Sequence, residues 1–181
     1  FKEEILSLSY IKKNDKIIIA VSGGMDSTAL LLLLQSINIH KIIVAHVDHS
    51  IRKDSISDRV FVEDLCKDLG VPFYFKTLDF SSKNRKDSVE KWAREKRYQY
   101  FVNLARKTKS DWVMTGHHAN DQAETLLLNL SRQSGVSGLT GISRKNNKII
   151  RPLLPFNKKV ISEFAERIGF PFIEDSTNAD M

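Results

Sequence analysis

"KIIIAVSGGMDSTALLLLL", residues Lys16–Leu34, joins two kinds of secondary-structure signal through a pair of glycines. Lys16–Val21 is a continuous run rich in β-branched residues, as expected of a strand buried on both faces. Asp26–Ile37 reads as a helix. Between them, Gly23 and Gly24 sit among Ser22, Met25, Asp26 and Ser27. Adjacent glycines let the main chain come close to a ligand. The serines offer hydroxyls, and the start of the helix offers free amides at the positive end of its dipole. Gly-Gly is also a common plain turn, with Ser or Asp capping the helix. The strand before and the helix after favour an anion site, and phosphate is the natural occupant.

The loop lacks the lysine of a G-x-x-x-x-G-K-[ST] nucleotide loop and the spacing of a G-x-G-x-x-G dinucleotide fingerprint. Its distinguishing group is a carboxylate, Asp26. A carboxylate next to phosphate makes chemical sense when Mg²⁺ lies between them.

Moving outward, the same alternation repeats. Lys41–Val47, a segment from Pro72, Asp111–Gly116 and a short piece within residues 146–154 read as strands. Asp54–Leu69, Asp87–Lys107, Asn120–Arg132 and Asn157–Ile168 read as helices, the second opened by a capping box of Asp87 and Glu90. This order predicts an α/β fold: a doubly wound, mostly parallel sheet with helices on both faces. Ligands in such sheets sit beyond the carboxyl ends of the strands. Those ends carry "SGGMDS" (Ser22–Ser27), "HVDHSIR" (His46–Arg52) and "TGHHAND" (Thr115–Asp121).

The 181 residues, 41% hydrophobic and 28% charged, suit one domain over residues 1–181. Beginning at Phe1 and ending at Met181, the chain reads as the N-terminal part of a longer protein with further C-terminal domains. The one cysteine, Cys66, excludes an intrachain disulfide and a zinc site built on cysteine pairs, and is expected to be buried in its helix. The longest apolar run, Ala29–Leu34, is far too short to span a bilayer. A cytoplasmic protein without a membrane partner is expected. Net charge is +6, and residues 83–109 alone hold ten Lys/Arg against three acids. Such a stretch suits a polyanionic partner, although a merely solvated helix face would look the same.

"SGGMDS" resembles the S-G-G-x-D-S signature of the N-type ATP pyrophosphatases, the PP-loop family. "HVDHSIR", "AREKRYQYF" (Ala93–Phe101), "TGHHANDQAETLLLNLSRQSGVSGLTGI" (Thr115–Ile142), "IRPLL" (Ile150–Leu154) and "EDSTN" (Glu174–Asn178) follow the order seen in tRNA(Ile)-lysidine synthetases. The resemblance implies an adenine nucleotide alpha hydrolase-like, Rossmann-like fold and cleavage of ATP between its α- and β-phosphates. It further implies ligation of L-lysine to C2 of the wobble cytidine of tRNA(Ile) with a CAU anticodon. The C2 oxygen is first adenylated, and the lysine ε-amine then displaces AMP to give lysidine. ATP and Mg²⁺ are the implied cofactors. Oligomeric state is left open, a homodimer being one option.

Under that resemblance Ser22, Gly23, Gly24, Met25, Asp26, Ser27, His46, Gly116 and His117 are expected at ATP, with Asp26 also at the metal. Asp121 and Glu124, three apart in the first turn of a helix, are expected to hold the lysine. Glu124 is further placed near the attacking amine. Acids in a first turn also simply complement the helix dipole. Arg151 is expected to counter charge on the triphosphate, and Arg94 and Arg97 to contact tRNA. Ala123, Leu126, Leu127 and Leu130 are expected to form the stripe that buries the same helix. "SGVSGLTG" (Ser134–Gly141) is expected to act as a loop closing over the nucleotide. Two alternatives remain: a tRNA 2-thiolase using the same loop, and a catalytically silent nucleotide- or RNA-binding domain. A lone mid-helix cysteine argues against sulfur transfer.

Overall fold

The glycine loop leaves the sheet from its centre. In the computed structural model, which describes residues 1–37, 41–48, 55–82, 88–131 and 140–173, strand β1 (Lys16–Ala20) runs parallel to both β2 (Lys41–Asp48) and β4 (Trp112–Thr115). With β3 (Phe73–Thr77), β5 (Lys145–Asn146) and β6 (Ile149–Ile150), the sheet order is β3-β2-β1-β4-β6-β5. After β1 the chain winds outward through β2 and β3, then returns to the other side of β1 as β4. The switch point of the sheet therefore lies between the carboxyl ends of β1 and β4, where a doubly wound fold opens a crevice.

Alternation along β1 explains why it is central. Ile17 and Ile19 face one layer and Ile18 the other, and all three have zero exposure. The first layer contains α2 (Met25–Ile37), α3 (Ser55–Asp68) and α6 (Lys158–Ile168), which contribute Leu30, Leu31, Val62 and Ile161. The second is built on α4 (Val89–Thr108), through Trp92, Phe101 and Leu104. Each fully buried isoleucine contributes about 1.5–3 kcal/mol of apolar burial. Cys66 is buried in α3 as expected. A short helix α1 (Lys2–Leu6) precedes the sheet and buries Ile5.

Three expectations are corrected. The α4 N-cap is Ser88, whose hydroxyl accepts from the Lys91 amide at 3.2 Å, in place of the Asp87–Glu90 box. Ser and Asp are near-equal caps, so adjacent candidates compete and local sequence alone does not choose. Asp87 itself lies outside the described residues. The expected strand within residues 146–154 is present but only as β6, and it is one arm of a hairpin, with β5 antiparallel to it and Asn147 at φ 52° in the turn, a backbone conformation asparagine tolerates.

The third correction concerns α5 (Ala119–Ser131). None of its residues is buried, and Leu127 and Leu130 are 66% and 55% exposed. Helical periodicity reports an apolar face, not a surface to cover it. Among the described residues none does.

Candidate active site

The Ser22–Ser27 loop braces itself with its own side chains. Ser27 Oγ accepts from the Ser22 amide at 3.1 Å and donates to the Gly24 carbonyl at 3.1 Å. Thr28 Oγ1 donates to the Gly23 carbonyl at 3.3 Å. Gly23 takes φ +101°, and a Cβ there would lie 2.5 Å from Ile173 Cδ1. The Ile173 amide donates to the Gly23 carbonyl at 2.9 Å, so residues from beyond α6 close onto the loop. Gly23 is thus required by the chain's own packing. Gly24 has no positive φ, and its nearest neighbour to a Cβ is Ser22 Oγ at 3.6 Å. Space is open above it. As at any helix start, the first amides of α2 have no intrahelical acceptor.

Gly116, the residue after β4, packs against this loop. A Cβ there would approach the Ser27 nitrogen at 3.0 Å and the Asp26 carbonyl carbon at 3.1 Å. Its bareness brings the two strand ends together across the switch point.

A cavity of about 610 Å³ opens at that junction, within the usual range for small-molecule sites. Ser22, Gly24, Met25, Asp26, Ser27, Gly116, His117 and Asp121 line it, with Arg97, Tyr98 and Phe101 from α4 and Lys158 from α6. Most of the residues singled out from sequence are therefore gathered by the fold.

His118 ties the two carboxylates together. It is 5% exposed. Its Nε2 lies 3.5 Å from Asp26 Oδ2 and its Nδ1 3.5 Å from Asp121 Oδ2. The Asp121 amide donates to Nδ1 at 3.4 Å, and the His118 amide donates to Asp121 Oδ2 at 2.8 Å. An accepting Nδ1 leaves Nε2–H directed at Asp26. The hydrogen bond to Asp26 raises the imidazole pKa above its ordinary value. Asp26 Oδ1 is buried and has no hydrogen-bond partner, a position that suits a cation.

His117 has the opposite environment. Burial first, then Arg151, pushes its pKa down to about 4, so the ring is neutral at physiological pH. Thr115 Oγ1 lies 2.8 Å from its Nδ1.

Besides Gly23, whose role is in the packing of the loop, four expected residues fall outside the cavity walls. His46 is 2% exposed and does not line the cavity. Its strand neighbours Ala45 and Val47 do, and alternation turns His46 to the other face of the sheet. There its Nδ1 lies 2.9 Å from the Val21 carbonyl, and burial lowers its pKa. Glu124 is exposed on α5 and outside the cavity walls. Arg94 and Arg151 line an adjoining cavity. Arg151 is 5% exposed, donates through Nη1 to the Ser143 carbonyl at 2.6 Å, and touches Tyr98 Oη at 3.5 Å. His49, residues 134–139 of the expected closing loop and residues 174–178 lie outside the described residues.

Lys158 is the residue sequence reading missed. It stands in the first turn of α6, where the dipole disfavours a cation. A lysine kept against that preference was the available signal.

A parallel sheet with a glycine loop at its switch point, an aspartate in the loop and cations opposite defines a nucleotide-binding α/β domain of the phosphate-loop kind. The chain belongs to the PP-loop domain family, which it matches over residues 1–181. It is 40% identical to a tRNA(Ile)-lysidine synthase of Thermosipho africanus across 99% of this chain and 43% of that protein. It is likewise 40% identical to the synthase of Chlorobaculum tepidum, across 98% of this chain and 56% of that one. The chain thus spans about half the length of these curated relatives. Among solved structures it is similar to the U34-tRNA thiolase NcsA from Methanococcus maripaludis with its [4Fe-4S] cluster, at TM-score 0.80 and 17% identity, covering 96% and 64% of the two chains. It also resembles the NH3-dependent NAD synthetase from Campylobacter jejuni, at TM-score 0.61 and 14% identity, covering 93% and 69%. At these identities the solved structures speak to fold alone. Among the described residues no helix is long and apolar enough to cross a membrane.

Proposed function

We propose that this chain is the catalytic part of an enzyme that ligates L-lysine to the wobble cytidine of tRNA(Ile) bearing a CAU anticodon, using ATP. The reading rests on one observation: a single cavity joins the Ser22–Ser27 loop to Asp121 on one side and to Arg97 and Tyr98 on the other. Phosphate, amine and RNA base can then meet in one place. The names of the curated relatives supply the particular chemistry.

The amides at the start of α2 and the open space over Gly24 would receive the β- and γ-phosphates. Lys158 faces them from α6 and neutralises charge that grows as the α–β bond breaks. Asp26 Oδ1, buried and unpartnered, is the oxygen that would bind Mg²⁺. No group of three or more His, Cys, Asp or Glu among the described residues could hold a metal by itself, consistent with one carboxylate sharing the ion with phosphates. When bound, Mg²⁺ would screen the charge of the departing pyrophosphate. His118 acts through Asp26, fixing the orientation of its carboxylate.

The wobble base would enter beside Tyr98 and Arg97, and its C2 oxygen would attack the α-phosphorus. Adenylation makes that oxygen a leaving group. A free lysine, its ammonium held at Asp121 with Glu124 one turn further along α5, would attack C2 with its ε-amine and release AMP. The ε-ammonium must lose a proton before it can attack, and the Asp121 and Glu124 carboxylates are the groups that would take it; His117, held neutral, puts no positive charge near the amine. The Arg151 field, already felt at His117, stabilises the anionic leaving group.

Sulfur transfer fits less well. Cys66 is buried and its thiol pKa is pushed up to about 12, chiefly by desolvation. The deciding experiment incubates the intact protein with ATP, radiolabelled lysine and tRNA. Label should become attached to one anticodon cytidine of the CAU-bearing isoleucine tRNA, with pyrophosphate release. No ATP-dependent labelling in such a reaction overturns the proposal.

A further inference from the structure

A second cavity, also about 610 Å³, lies between α4 and the β5–β6 hairpin. Four cations line it: Arg94 and Arg106 from α4, Lys148 from the hairpin, and Arg151. None of its described lining residues is acidic. The Lys148 ammonium reaches the Ser110 carbonyl at 3.2 Å, so a neutral oxygen, not a counter-ion, is its neighbour. Arg151 adds a built feature. It is 5% exposed, and its Nε is a buried donor without a partner. Four clustered cations repel one another and cost stability unless an anion joins them. A buried arginine donor left open is costly in the same way.

Tyr98 is shared. It lines both cavities, with the Arg94 and Arg97 guanidinium carbons each 5.7 Å from its ring centre. Whatever occupies the second cavity is next to whatever lies against Tyr98 in the first. We infer that this cavity is a phosphodiester-binding subsite that grips the RNA backbone beside the nucleotide inserted in the active site. The inference rests on the RNA-modifying reading above and assigns that reading its anchor. Arginine forks match phosphate oxygens in pairs, whereas an exposed lysine adds a point charge.

The test uses Arg106→Ala and Lys148→Ala, singly and together, in the intact protein. Both side chains are exposed and outside the cavity that holds the phosphate loop, so ATP binding should be untouched. The probe is an anticodon stem-loop RNA with a CAU anticodon, titrated at several salt concentrations. Each lost phosphate contact lowers the slope of log affinity on log salt by about 0.7–0.9. For the double variant the loss of affinity relative to parent should therefore be about tenfold greater at 50 mM than at 200 mM salt. ATP affinity should stay within about twofold.

An unchanged salt slope in the double variant overturns the subsite. So does competition: if inorganic phosphate or pyrophosphate binds the parent, fails to bind the variant, and RNA affinity is the same in both, the cavity serves a free anion. The two proposals fail separately. RNA binding with the expected slopes but no lysine attachment sinks the ligase reading and leaves the subsite standing. Lysine attachment with the same KM for RNA in parent and variants does the reverse.

Discussion

Replacing each glycine of the loop in turn separates what the chain needs from what the ligand needs. Gly23→Ala forces an L residue to φ +101° and puts its methyl 2.5 Å from Ile173 Cδ1. Backbone strain of this kind costs about 1–3 kcal/mol. The clash falls on the end of a flexible side chain, so it adds about 1 kcal/mol. The expected loss is about 2–4 kcal/mol of stability. Gly24→Ala meets nothing closer than 3.6 Å and needs no positive φ. Its effect on stability should stay within about 1 kcal/mol of parent, since reduced unfolded-state freedom offsets a slightly poorer helix cap. Its methyl, however, enters the open space proposed for the phosphates. Losing one amide hydrogen bond to a charged group costs about 1.5–3 kcal/mol, or about 10- to 150-fold in affinity. Urea unfolding measures the first quantity, and ATP titration with pyrophosphate release measures the second. If Gly24→Ala binds ATP within about twofold of the parent, the phosphates do not lie there and the assignment of the loop is wrong.

Other consequences can be checked in the same way. Asp26→Ala should abolish pyrophosphate release while leaving the circular dichroism spectrum and urea midpoint close to parent; appreciable turnover removes Asp26 from the metal site. Asp121→Asn should raise the KM for lysine at least tenfold with ATP affinity preserved, and Glu124→Ala should act in the same direction but less, because only Asp121 lines the cavity; equal or inverted effects would reassign the two acids. His117 is held neutral, with a pKa near 4 against about 6.5 in an unfolded chain. Its contribution is complete above pH 6.5 and is lost as pH falls toward 4, because only the unfolded chain takes up the proton in that window. By pH 5 the loss attributable to this ring is about 2 kcal/mol, so His117→Asn should flatten the pH dependence of urea unfolding between pH 7.5 and 5. Ile18→Ala, at a fully buried position in the central strand, should cost about 2–5 kcal/mol.

Both the sheet and the loop could be read in advance, for an identifiable reason. Lys16–Ile37 carries two strong local signals, a β-branched run and a capped apolar helix, and each is decided by neighbours along the chain. The same holds for α6, where Asn157 accepts from the Val160 amide at 3.0 Å and Gly169 closes the helix at φ +68°. Where two local signals competed, as at Asp87 and Ser88, sequence could not arbitrate. The five-residue α1 was missed because one turn of helix has almost no periodicity to detect.

Sequence by itself determined that this chain would form a mostly parallel α/β sheet with a phosphate-type loop after its first strand, since hydrophobic period, glycine placement and helix caps are properties of adjacent residues. The tertiary structure alone decided who shares the cavity. It turned His46 away while keeping Ala45 and Val47, brought Lys158 across from the last helix, set His118 between two carboxylates far apart in sequence, and left the α5 leucines in the open. Those outcomes depend on which strands lie side by side and which faces meet, and such distances are set by three-dimensional packing that no local pattern encodes.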